Sequence, residues 1–83
     1  MEHASHPAIV KRLRRAEGHL RSVISMIETG RHCVDIAQQL HAVEAAVTAA
    51  KRELIHDHIE HCLQGADAGK QDLDELKQLA RYL

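Results

Sequence analysis

The longest stretch of the sequence without glycine or proline extends from Arg31 to Gln64. Apolar residues recur along it in steps of three and four, the spacing of one helix face. They are Cys33, Ile36, Leu40, Val43, Val47, Ala50 and Leu54. This pattern predicts a helix over about residues 32–63, roughly 48 Å long at 1.5 Å per residue. Since a chain of 83 residues cannot build a domain of that width alone, we expect the helix to pair with a second copy of itself.

Two shorter helices flank this one. The first is predicted over residues 7–28, with Pro7 in its first turn, where a missing N–H is tolerated, and Gly30 as a left-handed residue after its end. Residues 1–6 are expected to form an arm. A third helix is predicted over 70–82, beyond a linker at 65–69. The apolar face of this third helix is expected at Leu73, Leu76, Ala80 and Leu83. The fold class is therefore all-α, with three helices in a single domain over 1–83.

Composition excludes several classes of protein. Aromatic residues make up only 1% of the chain, so the core must be built from aliphatic side chains, which suit helices. No apolar run approaches the ~20 residues that cross a bilayer, so we expect no membrane partner. The N-terminus lacks the basic and apolar regions of a signal peptide, which favours the cytosol. In that reducing compartment, two cysteines among eight histidines indicate metal-binding or reactive thiols.

Three soft donors occupy special positions on the long helix. His58 and Cys62 share a face one turn apart, at a separation that a metal ion can bridge. Cys33 lies about 37 Å before His58 along the axis, and the midpoint falls in the small-residue cluster Ala45–Ala50. An antiparallel crossing there would bring Cys33 of one chain beside His58 and Cys62 of its partner, twice. The alternative is that the cysteines are ordinary buried side chains. Packing alone, however, does not explain why soft donors occur at both ends of the proposed contact between the two long helices.

The remaining histidines are less informative. His32 and His61 flank the three donors and are candidates for supporting the ligands. His3 and His6, in the N-terminal arm, are candidates for a fourth ligand.

Basic residues concentrate on the first helix. Together with two cations of the second helix they form the predicted DNA-binding surface. These residues are Lys11, Arg12, Arg14, Arg15, Arg21, Lys51 and Arg52. Repetition of such a surface in an oligomer suits contact with DNA phosphates. No helix-turn-helix or zinc-finger spacing is visible in the sequence, so backbone contact is favoured over base reading.

Several segments resemble the CsoR/RcnR family of bacterial metal-responsive repressors. The segments are residues 12–19 (Arg-Leu-Arg-Arg-Ala-Glu-Gly-His), Cys33, residues 38–43 (Gln-Gln-Leu-His-Ala-Val) and residues 58–62 (His-Ile-Glu-His-Cys). The resemblance implies a helical homodimer that assembles into a homotetramer and binds double-stranded operator DNA. It also implies that an inducer at the Cys/His/Cys site releases the DNA and derepresses an efflux or detoxification gene.

The resemblance also bears on the inducer. Copper sensors of the family commonly carry a Tyr before the first Cys and a Glu in the third helix, where this chain is expected to have His32 and Gln78. Nickel and cobalt sensors recruit an N-terminal histidine, which His3 or His6 offers. We therefore expect Ni(II) or Co(II), with Cu(I) as the alternative; formaldehyde and persulfide sensors match less well.

Two other functional classes share some of these features. A metal buffer or chaperone would use the same ligands but would give the basic surface no purpose. An enzyme with a cysteine nucleophile is disfavoured, because the sequence has no Gly-rich loop and too little chain for a substrate cavity. We therefore expect no small-molecule substrate.

Overall fold

The computed structural model describes residues 6–64 and 69–83, and it contains three α-helices and no strand within those ranges. Helix α1 spans His6–Glu28, α2 spans Cys33–Gln64 and α3 spans Lys70–Ala80. The all-α prediction of three helices is confirmed. His3 lies outside the described residues. None of the helices in the described ranges is long and apolar enough to cross a membrane.

The turn between α1 and α2 is built around Gly30, whose φ is +73°. The amide of Arg31 donates to the carbonyl of Met26 at 3.0 Å, and the amide of Gly30 donates to that of Ile27 at 3.2 Å. This pair of hydrogen bonds is the Schellman ending of a helix, which requires a left-handed residue at the glycine position. The predicted left-handed Gly30 is therefore confirmed.

Helix α3 ends before residue 82, the predicted limit. The amide of Arg81 donates to the carbonyl of Gln78 at 3.3 Å, and that of Tyr82 donates to Leu79 at 3.0 Å. These bonds connect residues three apart, so the chain tightens into a 3₁₀-like turn at its end.

Helices α1 and α2 form an antiparallel hairpin with a narrow core. Helix α1 buries one residue every second turn, at Ile9, Ala16 and Val23. Helix α2 buries Val43 and Ala50, also seven residues apart, so one straight line of small and β-branched side chains holds the two helices together. Helix α3 lies against the C-terminal end of α2, where Leu54 and Ile55 share a pocket with Leu79.

A second apolar line on α2 is not covered by α1, and only Leu54 at its C-terminal end meets α3. It consists of four residues spaced by seven, Cys33, Leu40, Val47 and Leu54, and all four are exposed. It lies beside the line of Val43 and Ala50 on the helix surface. The predicted single stripe of α2 is therefore divided, with one edge packed against α1 and the other open.

The single chain is elongated and exposes more surface than a compact monomer of the same mass. Its radius of gyration is 17.1 Å, against about 12 Å for a compact domain of this length. Its accessible surface is 6646 Å², whereas a compact monomer of 9.3 kDa exposes about 5,000 Å². The excess arises because α2 extends beyond what two shorter helices can cover.

Candidate metal site and nucleic-acid surface

His58 and Cys62 lie in the last two turns of α2, on the same face as predicted. Cys62 is only 8% exposed, and the His58 side chain is 23% exposed. Their spacing of four residues places the imidazole above the thiol along the helix. A thiol and an imidazole one turn apart at a partly buried location can serve as two ligands of a transition metal ion.

Glu75 of α3 lies next to this pair. Its Oε1 is 3.0 Å from Nε2 of His58. A carboxylate at this distance attracts a proton on Nε2, and a proton there would leave the lone pair on Nδ1 for a metal ion. Carboxylates that hold metal-binding histidines in this way also raise their basicity as ligands.

Glu75 is not among the residues that the sequence predicts to support the ligands. The family resemblance instead implies Gln78 in α3, which is exposed in the structure. The expected apolar face of α3 also differs, because Leu73 and Leu83 are exposed, whereas Leu76 and Leu79 are half-buried. The available signal was the i, i+4 spacing of Glu75 and Leu79, which puts both on the side of α3 that meets α2.

His6, the first residue of α1, reaches the same end of the molecule. It lines a pocket of about 180 Å³ together with His58, Glu75 and three aliphatic residues, which are Leu54, Ile55 and Leu79. The antiparallel hairpin causes this placement, since it carries the start of α1 back to the end of α2. Of the two N-terminal candidates for a fourth ligand, His6 therefore lies beside the predicted site.

Cys33 occupies the opposite end of α2 and is exposed. The rise of an α-helix separates it from His58 by about 37 Å, and it is not joined to Cys62 by a disulfide. Among the side chains that the structure describes in one chain, no three His, Cys, Asp or Glu lie close enough to hold a metal ion. His32 and His61, predicted to support the ligands, are both exposed at the two ends of α2.

The donor set itself fits a transition metal. Two thiol sulfurs and an imidazole are soft to borderline ligands that suit Cu(I), Ni(II) or Co(II) and do not suit Mg²⁺ or Ca²⁺. The carboxylate of Glu75 behind His58 is the usual partner of a metal-binding histidine. The residues present therefore fit the kind of metal ion that the sequence predicts.

The predicted DNA-binding cations are all on the surface. Lys11, Arg12, Arg14, Arg15, Arg21, Lys51 and Arg52 are exposed. Two of them form ion pairs: Nη1 of Arg12 lies 2.8 Å from Oε2 of Glu53 on α2, and Nη2 of Arg21 lies 3.7 Å from Oε1 of Glu17 on α1.

A groove of about 280 Å³ separates α1 and α2 on this side. Arg12, Arg15 and His19 line it from α1, and Ala46 and Ala49 line it from α2. Nε2 of His19 lies 2.6 Å from Oε1 of Gln39, which connects the two helices at its far end. Part of the predicted small-residue cluster thus faces α1, where short side chains leave room for cationic ones.

The long helix carries thiol and imidazole donors, and the neighbouring helix carries a basic surface. These features are typical of a helical metal-binding protein that also binds a polyanion such as DNA. Comparison with known proteins makes this specific. Residues 5–82 match the family model described as metal-sensitive transcriptional repressor, and the chain belongs to this family. The predicted resemblance is confirmed, as is the prediction that the protein is not an enzyme, because the family consists of transcriptional repressors.

Similar proteins include sensors of two metals. The copper-sensing transcriptional repressor CsoR of Mycobacterium ulcerans (strain Agy99) is 36% identical over 78 residues, covering 90% of this chain and 67% of that protein. CsoR of Bacillus subtilis (strain 168) is 42% identical over 73 residues, covering 82% and 70%. The nickel-responsive transcriptional regulator InrS superposes with a TM-score of 0.84 and 34% identity, covering 100% of this chain and 98% of that one.

Proposed function

We propose that this protein is a repressor that binds operator DNA without metal and is released by Ni(II) or Co(II), so that a metal efflux gene is expressed. The observation that carries the choice of metal is the pocket shared by His6 and His58. Since a repressor acts on DNA, we place the protein in the cytosol.

The metal site is proposed to form between two chains. Cys33 lies on the uncovered line of α2 with Leu40, Val47 and Leu54, and these apolar residues need a partner. A second α2 crossing antiparallel would cover that line and place its own His58 and Cys62 beside Cys33 of the first chain, with the same contact repeated by two-fold symmetry. The excess surface of the single chain is consistent with a dimer, and we propose that two dimers form a tetramer.

The proposed ligands are Cys33 of one chain with His58 and Cys62 of the other, and His6 as a fourth. A second imidazole gives two nitrogens and two sulfurs, a set that Ni(II) and Co(II) accept in four-coordinate geometry. His3 is the other N-terminal candidate. His6 is favoured because the structure puts it in the pocket of His58.

Cu(I) is the second candidate, and three observations favour it. Two thiolates and one imidazole satisfy trigonal Cu(I) without any N-terminal ligand. A carboxylate of the third helix, Glu75, lies beside His58, although the position that copper sensors commonly fill with Glu is expected at Gln78. Two of the similar proteins are copper-sensing repressors. His32 in place of the Tyr before Cys33 remains a difference from copper sensors.

The residues of the chain connect this site to the DNA-binding surface. His6 begins the helix that carries Lys11, Arg12, Arg14 and Arg15, so a change in the position of His6 moves those cations. When bound, a metal ion supplies attraction among thiolates and imidazoles that belong to separate segments. A coupling of roughly 1–3 kcal/mol between the two sites, 5- to 150-fold in DNA affinity, is typical of allosteric proteins.

The test is a titration of the reduced protein with Ni(II), Co(II) and Cu(I), each followed by absorption spectra and by binding to a promoter duplex from beside its gene. We expect His6→Ala to weaken Ni(II) and Co(II) binding at least tenfold and to leave Cu(I) binding unchanged. His41→Ala, an exposed histidine on α2, is the matched control and should change neither.

Two results would contradict the proposal. If only Cu(I) releases the duplex and His6→Ala has no effect on any metal, the protein is a copper sensor. If none of the three metals changes binding to the duplex, the sensing function itself is overturned.

A further inference from the structure

Arg12 differs from the other cations of the predicted DNA-binding surface in its contact with a second helix. Its Nη1 lies 2.8 Å from Oε2 of Glu53, close enough for an ion pair. That oxygen is buried and accepts no hydrogen bond from the described residues, so the attraction is one of charge; the Glu53 side chain as a whole is 33% exposed and that of Arg12 is 55% exposed. The guanidinium therefore already has an anionic partner from α2.

We propose that Glu53 holds Arg12 away from the phosphates of DNA, and that Glu53 thereby limits the affinity of the metal-free repressor for its operator. The inference rests on the proposed function, because it assumes that the basic surface of α1 binds DNA. It adds a residue that sets the strength of that binding.

The electrostatic reason is the competition of two anions for one cation. Protein–DNA affinity grows with each phosphate that a Lys or Arg neutralises, because each such contact releases condensed counterions. An arginine that already neutralises a carboxylate gains little from a phosphate unless the carboxylate leaves. A phosphate that approaches Arg12 is also repelled by Glu53, so this arginine contributes less than its position suggests.

The groove between α1 and α2 makes this competition local. Arg12, Arg15 and His19 line its α1 side, and Arg15 is one turn from Arg12 on the same face. A phosphate at the groove meets Arg15 and His19, while the contact with Glu53 draws the end of Arg12 toward α2. Release of Arg12 would therefore add a second guanidinium to a place where one is already available.

The other ion pair of this surface provides a matched comparison. Glu17 and Arg21 lie one turn apart on α1, with 3.7 Å between Oε1 and Nη2, and both side chains are largely exposed. Such a pair is weak and opens readily. Replacing Glu17 removes the same charge from the same surface without releasing an arginine that is paired with another helix.

The experiment measures binding of metal-free wild-type, Glu53→Gln and Glu17→Gln proteins to a promoter duplex between 50 and 200 mM salt. We expect Glu53→Gln to bind roughly three- to tenfold more tightly at low salt. It should also lose about 3.5-fold more affinity across that salt range for each protomer that gains a phosphate contact. Glu17→Gln should change affinity and salt dependence much less.

A double-mutant cycle assigns the gain to Arg12. Arg12→Ala should weaken the wild type less than Arg15→Ala does, and Glu53→Gln should have no effect when Arg12 is already alanine. A gain that persists without Arg12 would overturn the proposal in favour of a general charge effect. Weaker binding by Glu53→Gln would overturn it in favour of a carboxylate that positions Arg12 for phosphate.

Two controls separate these outcomes from trivial ones. Circular dichroism and the mass in solution should be the same for Glu53→Gln and wild type, since the pair is partly exposed. If the wild-type protein binds no promoter duplex, the proposed function fails. If it binds and Glu53→Gln has no effect, only this inference fails.

Discussion

His58 is paired with a carboxylate from a different helix, and this contact explains how one residue of α2 is prepared as a ligand. Glu75, 3.0 Å from Nε2, attracts the ring electrostatically and restricts its rotation, so less orientational freedom is lost when a metal ion binds. The contact also connects α3 to the metal site, because α3 is held at this end of α2 partly through that carboxylate.

We expect Glu75→Gln to lower the metal affinity of the reduced protein by about 10- to 100-fold, the usual effect of removing the partner of a ligating histidine. Gln78→Ala is the matched control on the same helix and should have no effect, since Gln78 is exposed. Competition with a chelator of known affinity measures both. A loss with Gln78→Ala and none with Glu75→Gln would restore the position expected from the sequence.

At the scale of the helices, α2 has two apolar lines that serve different contacts. Val43 and Ala50 pack against α1 and are buried, whereas Leu40, Val47 and Leu54 remain exposed. The short turn at Gly30 makes the first contact unavoidable, because it returns the chain directly along α2. The second line has no partner within the hairpin, which is why we assign it to another copy.

Replacing two glycines by alanine, Gly30 in the turn and Gly18 inside α1, should change the free energy of unfolding in opposite directions. Gly30 has a φ of +73°, so Gly30→Ala should lower the free energy of unfolding by about 1–2 kcal/mol, the cost of a left-handed side-chain residue. Gly18 lies inside α1, and a Cβ there meets nothing within 4 Å. Gly18→Ala should therefore raise the free energy of unfolding by about 0.5–1 kcal/mol.

Urea unfolding at one protomer concentration measures both changes, since oligomerisation makes apparent stability depend on concentration. A neutral Gly30→Ala would contradict the left-handed turn. A destabilising Gly18→Ala would show that another copy packs against that part of α1.

At the scale of the whole molecule, the distance between Cys33 and His58 determines how many chains a metal site needs. The two residues lie at opposite ends of a helix, so a site that uses both must be shared between chains. Such sharing makes metal binding depend on assembly, and it gives each dimer two identical sites.

We expect the variants Cys33→Ala and His58→Ala to bind metal poorly alone and to recover binding when unfolded and refolded together under reducing conditions. A mixed dimer regains one intact site, so an equal mixture should bind about one quarter of the wild-type amount. His58→Ala mixed with Cys62→Ala is the control and should recover nothing, because both donors come from the same side of the site. Failure of the first mixture to recover would show that Cys33 is not shared across chains.

The positions of the helices and the presence of the donors could be predicted from local pattern. Apolar steps of three and four, a proline near the start of α1 and a glycine after its end act over a few residues. They place Cys33 at the start of α2 and His58 with Cys62 near its end. The family resemblance came from these same residues.

The contacts between helices could not be predicted in this way. The family resemblance implied Gln78 as the supporting residue of α3, whereas the packing of α3 against α2 brings Glu75 within 3.0 Å of His58. Periodicity indicates that a helix has an apolar face but does not show which residues of another helix it meets. It likewise does not show that α1 covers only one line of α2, or that Glu53 meets Arg12.

By itself, the sequence determined three helices, their order, the donors and the cations, because hydrogen bonding and side-chain spacing within a helix are local. The tertiary structure decided that Glu75 contacts His58, that His6 reaches the same pocket and that Arg12 is paired with Glu53. These contacts join residues far apart in the chain, and they depend on how helices of fixed shape pack against one another.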